Sequence, residues 1–295
     1  CSPIQNYRMN NKTEPIKFNH RIRLVVSDLD GTLLNEEKRI SPRSLAAIRK
    51  LRRCGVLFTV CTGREYAILE HYAKQIQPSA PMICNNGGEV VSFPQGKVIF
   101  RRLLPKPEIL SLVEYCLSQG ADFCITTPEG AYFPNGSAMT GFYSDYHKQS
   151  RQEGLHLFPI HYISTGQELE SLPLNKMIFR SDLTSAENVI QYIRRELPAF
   201  DTTMSSENIL EVIPRGINKA EGLVQLCSHL GISLSECCAV GDYENDIELL
   251  TTAGLSVAMG NALPSVKKIA DYVTASNEED GVALLLEQIA AEYAL

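Results

Sequence analysis

Short apolar runs that do not alternate with polar residues recur along this chain, each followed by a stretch with helical spacing. Residues 22–28, IRLVVSD, and 56–61, VLFTVC, are rich in β-branched residues and predict strands buried on both faces. Residues 41–55 between them predict a helix, with Ser41 as its N-cap and Gly55 at its left-handed end. This alternation of strand and helix predicts a parallel sheet with right-handed crossovers.

The alternation of strand and helix continues to a third short strand at 82–84, stops there, and begins again after residue 214. The intervening stretch holds a hairpin signature, further strands and two helices, which suggests a separate α+β unit. We therefore predict an α/β fold. Its Rossmann-like parallel-sheet core, 21–87 and 214–295, is interrupted by an inserted α+β domain, 88–213.

The polar residues 1–20 predict a flexible lead before the first strand, without the apolar segment of a secretion signal. Cys1 is most simply explained by a clipped initiator residue, with a lipid-anchored end as the alternative. The nine cysteines are scattered without a C-x-x-C pair, which fits a reducing compartment. We therefore expect a cytoplasmic protein.

Composition and charge narrow the class of partner. Of 295 residues, 44% are hydrophobic and 21% charged, as in an ordinary globular protein of one large or two moderate domains. The net charge of −6 argues against a nucleic-acid partner, because the phosphate backbone favours a basic surface. No apolar run approaches the roughly 20 residues that cross a bilayer, so we expect no membrane partner.

Polar side chains follow four of the predicted strands. They are Asp28 with Asp30 in VVSDLDGTLL, then Thr62-Gly63-Arg64, Asn85-Asn86, and Asp242 with Asn245 and Asp246 in GDYENDIELL. Ligands of open α/β sheets bind at the carboxyl ends of the strands, so we expect these side chains to share one site. Lys219 begins the helix that leads into the fourth of these strands.

Taken together, these positions resemble the haloacid dehalogenase superfamily of phosphohydrolases. The family motif D-x-D-G-T is matched by residues 28–32, and the motif G-D-x-x-N-D by residues 241–246. Thr62 matches the second motif of the family and Lys219 the third. VAMGNA at 257–262 is similar to a stretch of the Cof-type branch, which carries a C2B-type α+β cap between the second and third motifs. The resemblance covers nearly the whole chain.

The resemblance implies a phosphatase that works through an aspartyl-phosphate. Cleaving a phosphate monoester in this way needs both a nucleophile and a proton shuttle. Asp28 would be the nucleophile, and Asp30 would protonate the leaving alkoxide and later take a proton from water. Gly31 would let the chain turn sharply so that both carboxylates face one pocket. Thr62 and Lys219 would hold the oxygens of the transferred phosphoryl group.

A Mg²⁺ cofactor is also implied, because this cation binds through a few carboxylates together with substrate phosphate. By resemblance, its ligands would be the carboxylates of Asp28 and Asp242 and the main-chain carbonyl of Asp30. Asp246 would support the metal shell directly or through water. The expected contacts to the substrate are Gly63, Arg64, Asn86 and Asn245.

Each motif alone also has a structural explanation. An Asp-Gly pair after a strand is commonly a turn, and Thr62 alone would be an ordinary helix N-cap. Asp242 and Asp246 would suit the first turn of a helix. The ordered agreement of all the motifs favours catalysis over these explanations.

We expect a phosphatase acting on a small phosphorylated metabolite, such as a sugar phosphate or a nucleotide or cofactor monophosphate. The inserted domain would close over the core and recognise the organic part of the substrate. Candidates for that recognition lie in 128–143, PEGAYFPNGSAMTGFY, which is predicted to be rich in loops. A phosphomutase is the enzymatic alternative, and a non-catalytic protein that binds a phosphorylated metabolite is the alternative from another class.

Overall fold

A computed structural model of the chain describes residues 16, 18, 20–180 and 186–293. Cys1 and almost all of the predicted lead lie outside the described residues. None of the described helices is long and apolar enough to cross a bilayer.

The described residues form strands and α-helices, which we number in chain order. The strands are β1 (Leu24–Ser27), β2 (Leu57–Val60), β3 (Met82–Cys84), β4 (Glu89–Val91), β5 (Val98–Arg101), β6 (Cys124–Thr126), β7 (Ala131–Pro134), β8 (Ile160–Ile163), β9 (Lys176–Arg180), β10 (Phe200–Ser206), β11 (Ile209–Pro214), β12 (Cys237–Gly241), β13 (Leu255–Ala258) and β14 (Tyr272–Val273). The α-helices are α1 (Pro42–Arg53), α2 (Glu70–Ile76), α3 (Lys106–Ser118), α4 (Gly141–Glu153), α5 (Ala186–Glu196), α6 (Lys219–Leu230), α7 (Ile247–Thr252), α8 (Pro264–Ile269) and α9 (Gly281–Glu292).

Five strands form a parallel sheet in the order β14-β13-β12-β1-β2. Val26 of β1 lies opposite Ala239 of β12 on one side and Thr59 of β2 on the other. All four residues of β1 are buried, which explains why its sequence does not alternate. The predicted α/β fold with a parallel-sheet core is confirmed.

The first helix begins and ends as its sequence predicts. The side chain of Ser41 accepts a hydrogen bond from the Ser44 N–H, and Pro42 occupies the first turn. Gly55 beyond the helix has a φ of 77°, the left-handed conformation that favours glycine.

Strand β3 runs parallel to β2, as predicted, but only one parallel bridge, between Cys61 and Ile83, joins it to the end of that strand. Its other edge pairs antiparallel with β4, which pairs antiparallel with β5. Asn85 and Asn86 both have positive φ, so the chain turns back directly after β3 and pairs with itself. The hairpin predicted around PQG is the β4–β5 pair.

Six further strands form a second sheet in the order β10-β11-β9-β6-β7-β8, in which only β7 and β8 are parallel. A separate apolar cluster that includes Phe123 and Phe179 packs this sheet against α3 and α5. We call this sheet with α3, α4 and α5 the inserted unit. The bounds 88–213 stay a prediction, since β3 and β4 on either side of residue 88 share one sheet.

Sequence patterns missed several parts of the inserted unit, most clearly α4. The segment 128–143 is rich in loops, as predicted, since β7 and the start of α4 take up only seven of its sixteen residues. Helix α4 buries only Tyr143, Tyr146 and Ser150, and its remaining residues are mostly polar, with Phe142 exposed, so it has no apolar stripe to predict it.

The first turn of α6 packs closely against the turn that follows β3. A Cβ at Gly222 would lie 2.4 Å from Ile83 Cγ2 and 2.9 Å from Gly87 Cα. Because Lys219 begins this helix, the close approach sets where its side chain starts.

We predict that Gly222→Ala destabilises the protein by about 1–3 kcal/mol, because backbone and a buried side chain must move to admit one methyl group. Urea denaturation gives the free energy of unfolding. Gly141→Ala is the matched control, since a Cβ at this helical residue meets nothing within 4 Å. Equal stability of the two variants would contradict the packing described.

Candidate active site

The side chain of Lys219 joins two of the carboxylates that the sequence singles out. Its Nζ donates to Asp28 Oδ1 at 2.6 Å and to Asp246 Oδ1 at 2.6 Å. Asp28 directly follows β1, and Asp246 ends a 3-10 turn after β12, so neighbouring parallel strands deliver both. Lys219 is 1% exposed, and its helix is capped by Asn218, whose side chain accepts from the Glu221 N–H. The predicted convergence of these three residues is present.

Asp242 completes the acidic cluster. Carboxylate oxygens of Asp28, Asp242 and Asp246 all lie within 4.8 Å of one another, and all three residues are buried. Asp242 Oδ1 accepts from the Thr32 hydroxyl at 2.6 Å. A Cβ at Gly31, whose φ is +79°, would lie 2.4 Å from Asp242 Oδ2. Glycine is therefore the residue that lets the loop after β1 approach this carboxylate.

Asp246 is engaged at both of its carboxylate oxygens. Oδ1 binds Lys219, while Oδ2 accepts from the N–H groups of Asp242 at 2.9 Å and Tyr243 at 3.1 Å. A carboxylate oxygen has a second lone pair, so a further ligand is still possible. In this arrangement Asp246 orients Lys219 and the Asp242 loop.

The cluster concentrates negative charge away from water. Burial, and then the neighbouring carboxylates, raise the pKa of Asp28 well above its ordinary value, although Lys219 opposes this shift. Burial and Asp246 raise the pKa of Asp242 to about 6. Burial alone would lower the pKa of Lys219, but the two carboxylates it binds outweigh burial and raise it. One ammonium thus faces three carboxylates, and a second cation would relieve their repulsion.

The donor atoms of this cluster fit a hard divalent cation. They are carboxylate oxygens, which Mg²⁺ and Ca²⁺ prefer, and they carry more negative charge than Lys219 balances. Both the donor atoms of the cluster and their spacing therefore suit such a cation.

The carboxylate of Asp30 binds cationic side chains. Arg64 Nε and Nη2 each donate to it at 2.7 Å, and Lys38 Nζ donates to Oδ1 at 3.0 Å. Burial alone would raise the pKa of Asp30, but Arg64 and then Lys38 outweigh burial and hold it well below its usual range. Asp30 is thus ionised here, a state that accepts a proton.

Arg64 also contacts two aromatic rings. Its guanidinium carbon lies 5.3 Å from the ring centroid of Tyr72 and 5.4 Å from that of Phe142, a residue of α4. The hydroxyl of the neighbouring Tyr143 donates to Glu65 Oε1 at 3.3 Å. The inserted unit therefore covers the side of the site where Asp30 lies.

The turns after β2 and β3 are bonded to each other. The Thr62 hydroxyl accepts from the Arg64 N–H at 3.2 Å, and the Asn86 N–H donates to the Thr62 carbonyl at 3.1 Å. Asn86 Oδ1 accepts from Asn245 Nδ2 at 3.0 Å, which links both turns to the loop after β12. Gly63 fits closely, since a Cβ there would lie 3.2 Å from Asn86 Oδ1.

Four charged residues around the site were missed by sequence reasoning: Lys38, Glu65, Lys176 and Glu211. Lys176 and Glu211 had one signal, a charged residue within or beside an apolar strand segment, in NKMIF and ILEVI. Lys38 and Glu65 lie in turns between elements and had none.

This parallel-sheet core, with acidic groups and a buried lysine at the carboxyl ends of its strands, is the architecture of a phosphoryl-transfer enzyme. The model of the haloacid dehalogenase-like hydrolase family matches residues 25–286. The chain belongs to this family. The predicted resemblance to its Cof-type phosphohydrolases is confirmed, and so is the prediction of a phosphoric monoester hydrolase.

Relatives of this chain include named phosphatases. It is 28% identical over 275 residues to the 5-amino-6-(5-phospho-D-ribitylamino)uracil phosphatase YitU of Bacillus subtilis, covering 90% of this chain and 96% of that protein. It is 32% identical to the HMP-PP phosphatase of Serratia proteamaculans, covering 84% and 87%. A haloacid dehalogenase-like hydrolase from Bacteroides thetaiotaomicron superposes with a TM-score of 0.77 at 27% identity, covering 91% and 100%.

We predict that Arg64→Gln lowers stability more at pH 7 than at pH 3. The folded-state pKa of Asp30 is depressed, so its pairing with Arg64 stabilises fully above the unfolded pKa of about 3.9. That contribution is lost as the pH falls from there towards the folded-state pKa.

Urea denaturation at several pH values, compared with wild type, measures this difference. Arg215→Gln is the control, because the Arg215 guanidinium donates to the Pro198 carbonyl, which does not titrate. A stability loss in Arg64→Gln that does not change with pH would argue against the ion pair.

Proposed function

We propose that this chain is a Mg²⁺-dependent phosphatase that hydrolyses a small phosphorylated metabolite through an aspartyl-phosphate on Asp28. The observation that supports this most is the buried contact of Lys219 with Asp28 and Asp246 beside Asp242. A nucleophile, a fixed cation and a set of hard metal ligands are all within one small volume.

The carboxylates of Asp28 and Asp242 would hold Mg²⁺ together with the main-chain carbonyl of Asp30, and Asp246 would support them. When bound, Mg²⁺ offsets the charge of the substrate phosphate and of the carboxylates around it.

Asp28 must be ionised to attack. Burial opposes ionisation, but the Lys219 ammonium at 2.6 Å favours the carboxylate. An Asp28 oxygen then forms a bond to phosphorus as the bond from phosphorus to the leaving oxygen breaks. Lys219 also offsets charge on the transferred group, and the Thr62 hydroxyl donates a hydrogen bond to one of its oxygens.

Asp30 serves as acid in the first step and as base in the second. Arg64 stabilises its ionised form, so protonation of the leaving alkoxide requires this contact to loosen. Asp30, ionised by that transfer, later accepts a proton from the water that attacks the phosphorus of the aspartyl-phosphate, again with the Arg64 contact loosened. That attack releases inorganic phosphate and restores the Asp28 carboxylate.

The substrate class follows from the relatives and from the inserted unit. The named relatives act on a phosphoribitylaminouracil and on HMP-PP. We propose a substrate of comparable size, a sugar phosphate or a nucleotide or cofactor monophosphate. Phe142 and Tyr143, from the predicted recognition segment, reach Arg64 and Glu65, which supports a role of α4 in binding the organic part.

We predict that Asp28→Asn lowers phosphate release by about 10³-fold or more, because the amide is a poor nucleophile. The fold should survive, since asparagine keeps an oxygen that accepts from Lys219. Phosphate release over a panel of phosphorylated metabolites, without a bisphosphate activator, is the measurement. Asp145→Asn, at an exposed residue of α4, is the control. Turnover near wild type in Asp28→Asn would remove the mechanism.

Binding of Mg²⁺ can be tested without turnover. We predict that Mg²⁺ raises the melting temperature of the wild type, because a ligand of the folded state stabilises it by mass action. Asp242→Asn should abolish most of this shift, while Asp271→Asn, outside the cluster, should keep it. Equal shifts in both variants would place the cation elsewhere.

A further inference from the structure

Two charged residues of the inserted unit are buried against the core. Lys176, the first residue of β9, and Glu211 of β11 have side chains 3% and 5% exposed, and Lys176 Nζ lies 3.0 Å from Glu211 Oε1. β9 and β11 are neighbouring strands, so the pair is held by the sheet itself.

Lys176 reaches the turn that follows β2. Its Nζ donates to the Gly63 carbonyl at 2.5 Å and lies 3.5 Å from Glu65 Oε1. Gly63 separates Thr62, which is expected to contact the phosphoryl group, from Arg64, which binds Asp30. The ammonium thus donates hydrogen bonds to Gly63 and Glu211 and has Glu65 as a second carboxylate nearby.

Glu211 reaches the turn that follows β3. Its Oε2 accepts from Asn86 Nδ2 at 2.5 Å, and its Oε1 also accepts from the Ser205 hydroxyl at 3.1 Å. The other end of the Asn86 amide binds Asn245. One pair of side chains from the inserted unit therefore bonds both turns that border the site.

A packing role alone does not explain these charges. Burying an ion pair costs several kcal/mol, and apolar residues of similar size usually pack as well or better. Burial alone would lower the pKa of Lys176, but Glu211 and Glu65 outweigh it and raise it, so the lysine stays charged. Its charge and direction suit the Gly63 carbonyl, which a methyl group could not bind.

We propose that Lys176 and Glu211 are positioning residues for phosphoryl transfer: they fix the Gly63 carbonyl and the Asn86 amide, and thereby the two turns that receive the phosphoryl group. This inference rests on the proposed phosphatase function. If these contacts order the two turns, the phosphate site is complete only when the inserted unit is docked on the core. The reason is that Lys176 and Glu211 belong to the inserted unit, whereas Gly63 and Asn86 belong to the turns of the core.

The test compares Lys176→Met with Lys106→Met. Lys106 is a lysine of the inserted unit whose Nζ also donates to main-chain carbonyls, those of Leu169 and Leu172, within that unit. Lys176→Met should lower kcat/KM by about 10²-fold, the loss that a small misplacement of reacting groups produces. It should also weaken inhibition by inorganic phosphate, whereas Lys106→Met should leave both values within about 2-fold of wild type.

Glu211→Gln provides a second variant if Lys176→Met does not fold. Its size is unchanged, but its amide places an N–H against either Lys176 or the Asn86 amide, so one of the two contacts fails. We expect the same weakening of phosphate inhibition, because the inhibition constant reports binding of inorganic phosphate to the site.

The outcomes separate the two proposals. Wild type that releases no phosphate from any metabolite of the panel overturns the proposed function, and the positioning role with it. The positioning role alone is overturned if wild type releases phosphate but Lys176→Met or Glu211→Gln behaves like Lys106→Met. The values compared are kcat/KM and the inhibition by inorganic phosphate.

Discussion

The ammonium of Lys219 is the contact on which the rest of the site depends. Three carboxylates buried side by side repel one another, and this side chain offsets part of that repulsion from within the protein. It joins the end of β1 to the loop after β12, although Asp28 and Lys219 are 191 positions apart in sequence. Its place depends in turn on glycine at residue 222, which lets α6 lie against the turn after β3.

The core and the inserted unit contribute different groups to the candidate site. The core contributes the carboxylates, Lys219 and Thr62, while the inserted unit contributes side chains that hold the surrounding turns and cover Arg64. Arg64 connects the two parts, because it binds Asp30 on one side and the ring of Phe142 on another. A substrate that displaces either contact would thereby change the proton affinity of Asp30.

The core, and the meeting of the strand-end polar residues at one edge of it, were largely predictable from sequence because their signals are local. A buried strand is recognisable as a short apolar run, and the polar residue that follows it lies at the carboxyl edge of the sheet, where ligands bind. The turn back after β3 and the polar helix α4 were missed, since positive φ at asparagine and burial of two tyrosines leave no periodic pattern. Lys176 and Glu211 were missed because the residues they bind across the site, Gly63 and Asn86, lie far away in sequence.

Trapping the covalent intermediate tests the central claim most directly. Enzyme mixed with Mg²⁺ and a turned-over substrate is quenched and treated with borohydride, which reduces an aspartyl-phosphate to homoserine, and the peptides are mapped by mass spectrometry. The account predicts that Asp28 is reduced, and only when substrate is present. Reduction at a different residue, or none while phosphate is being released, would contradict it.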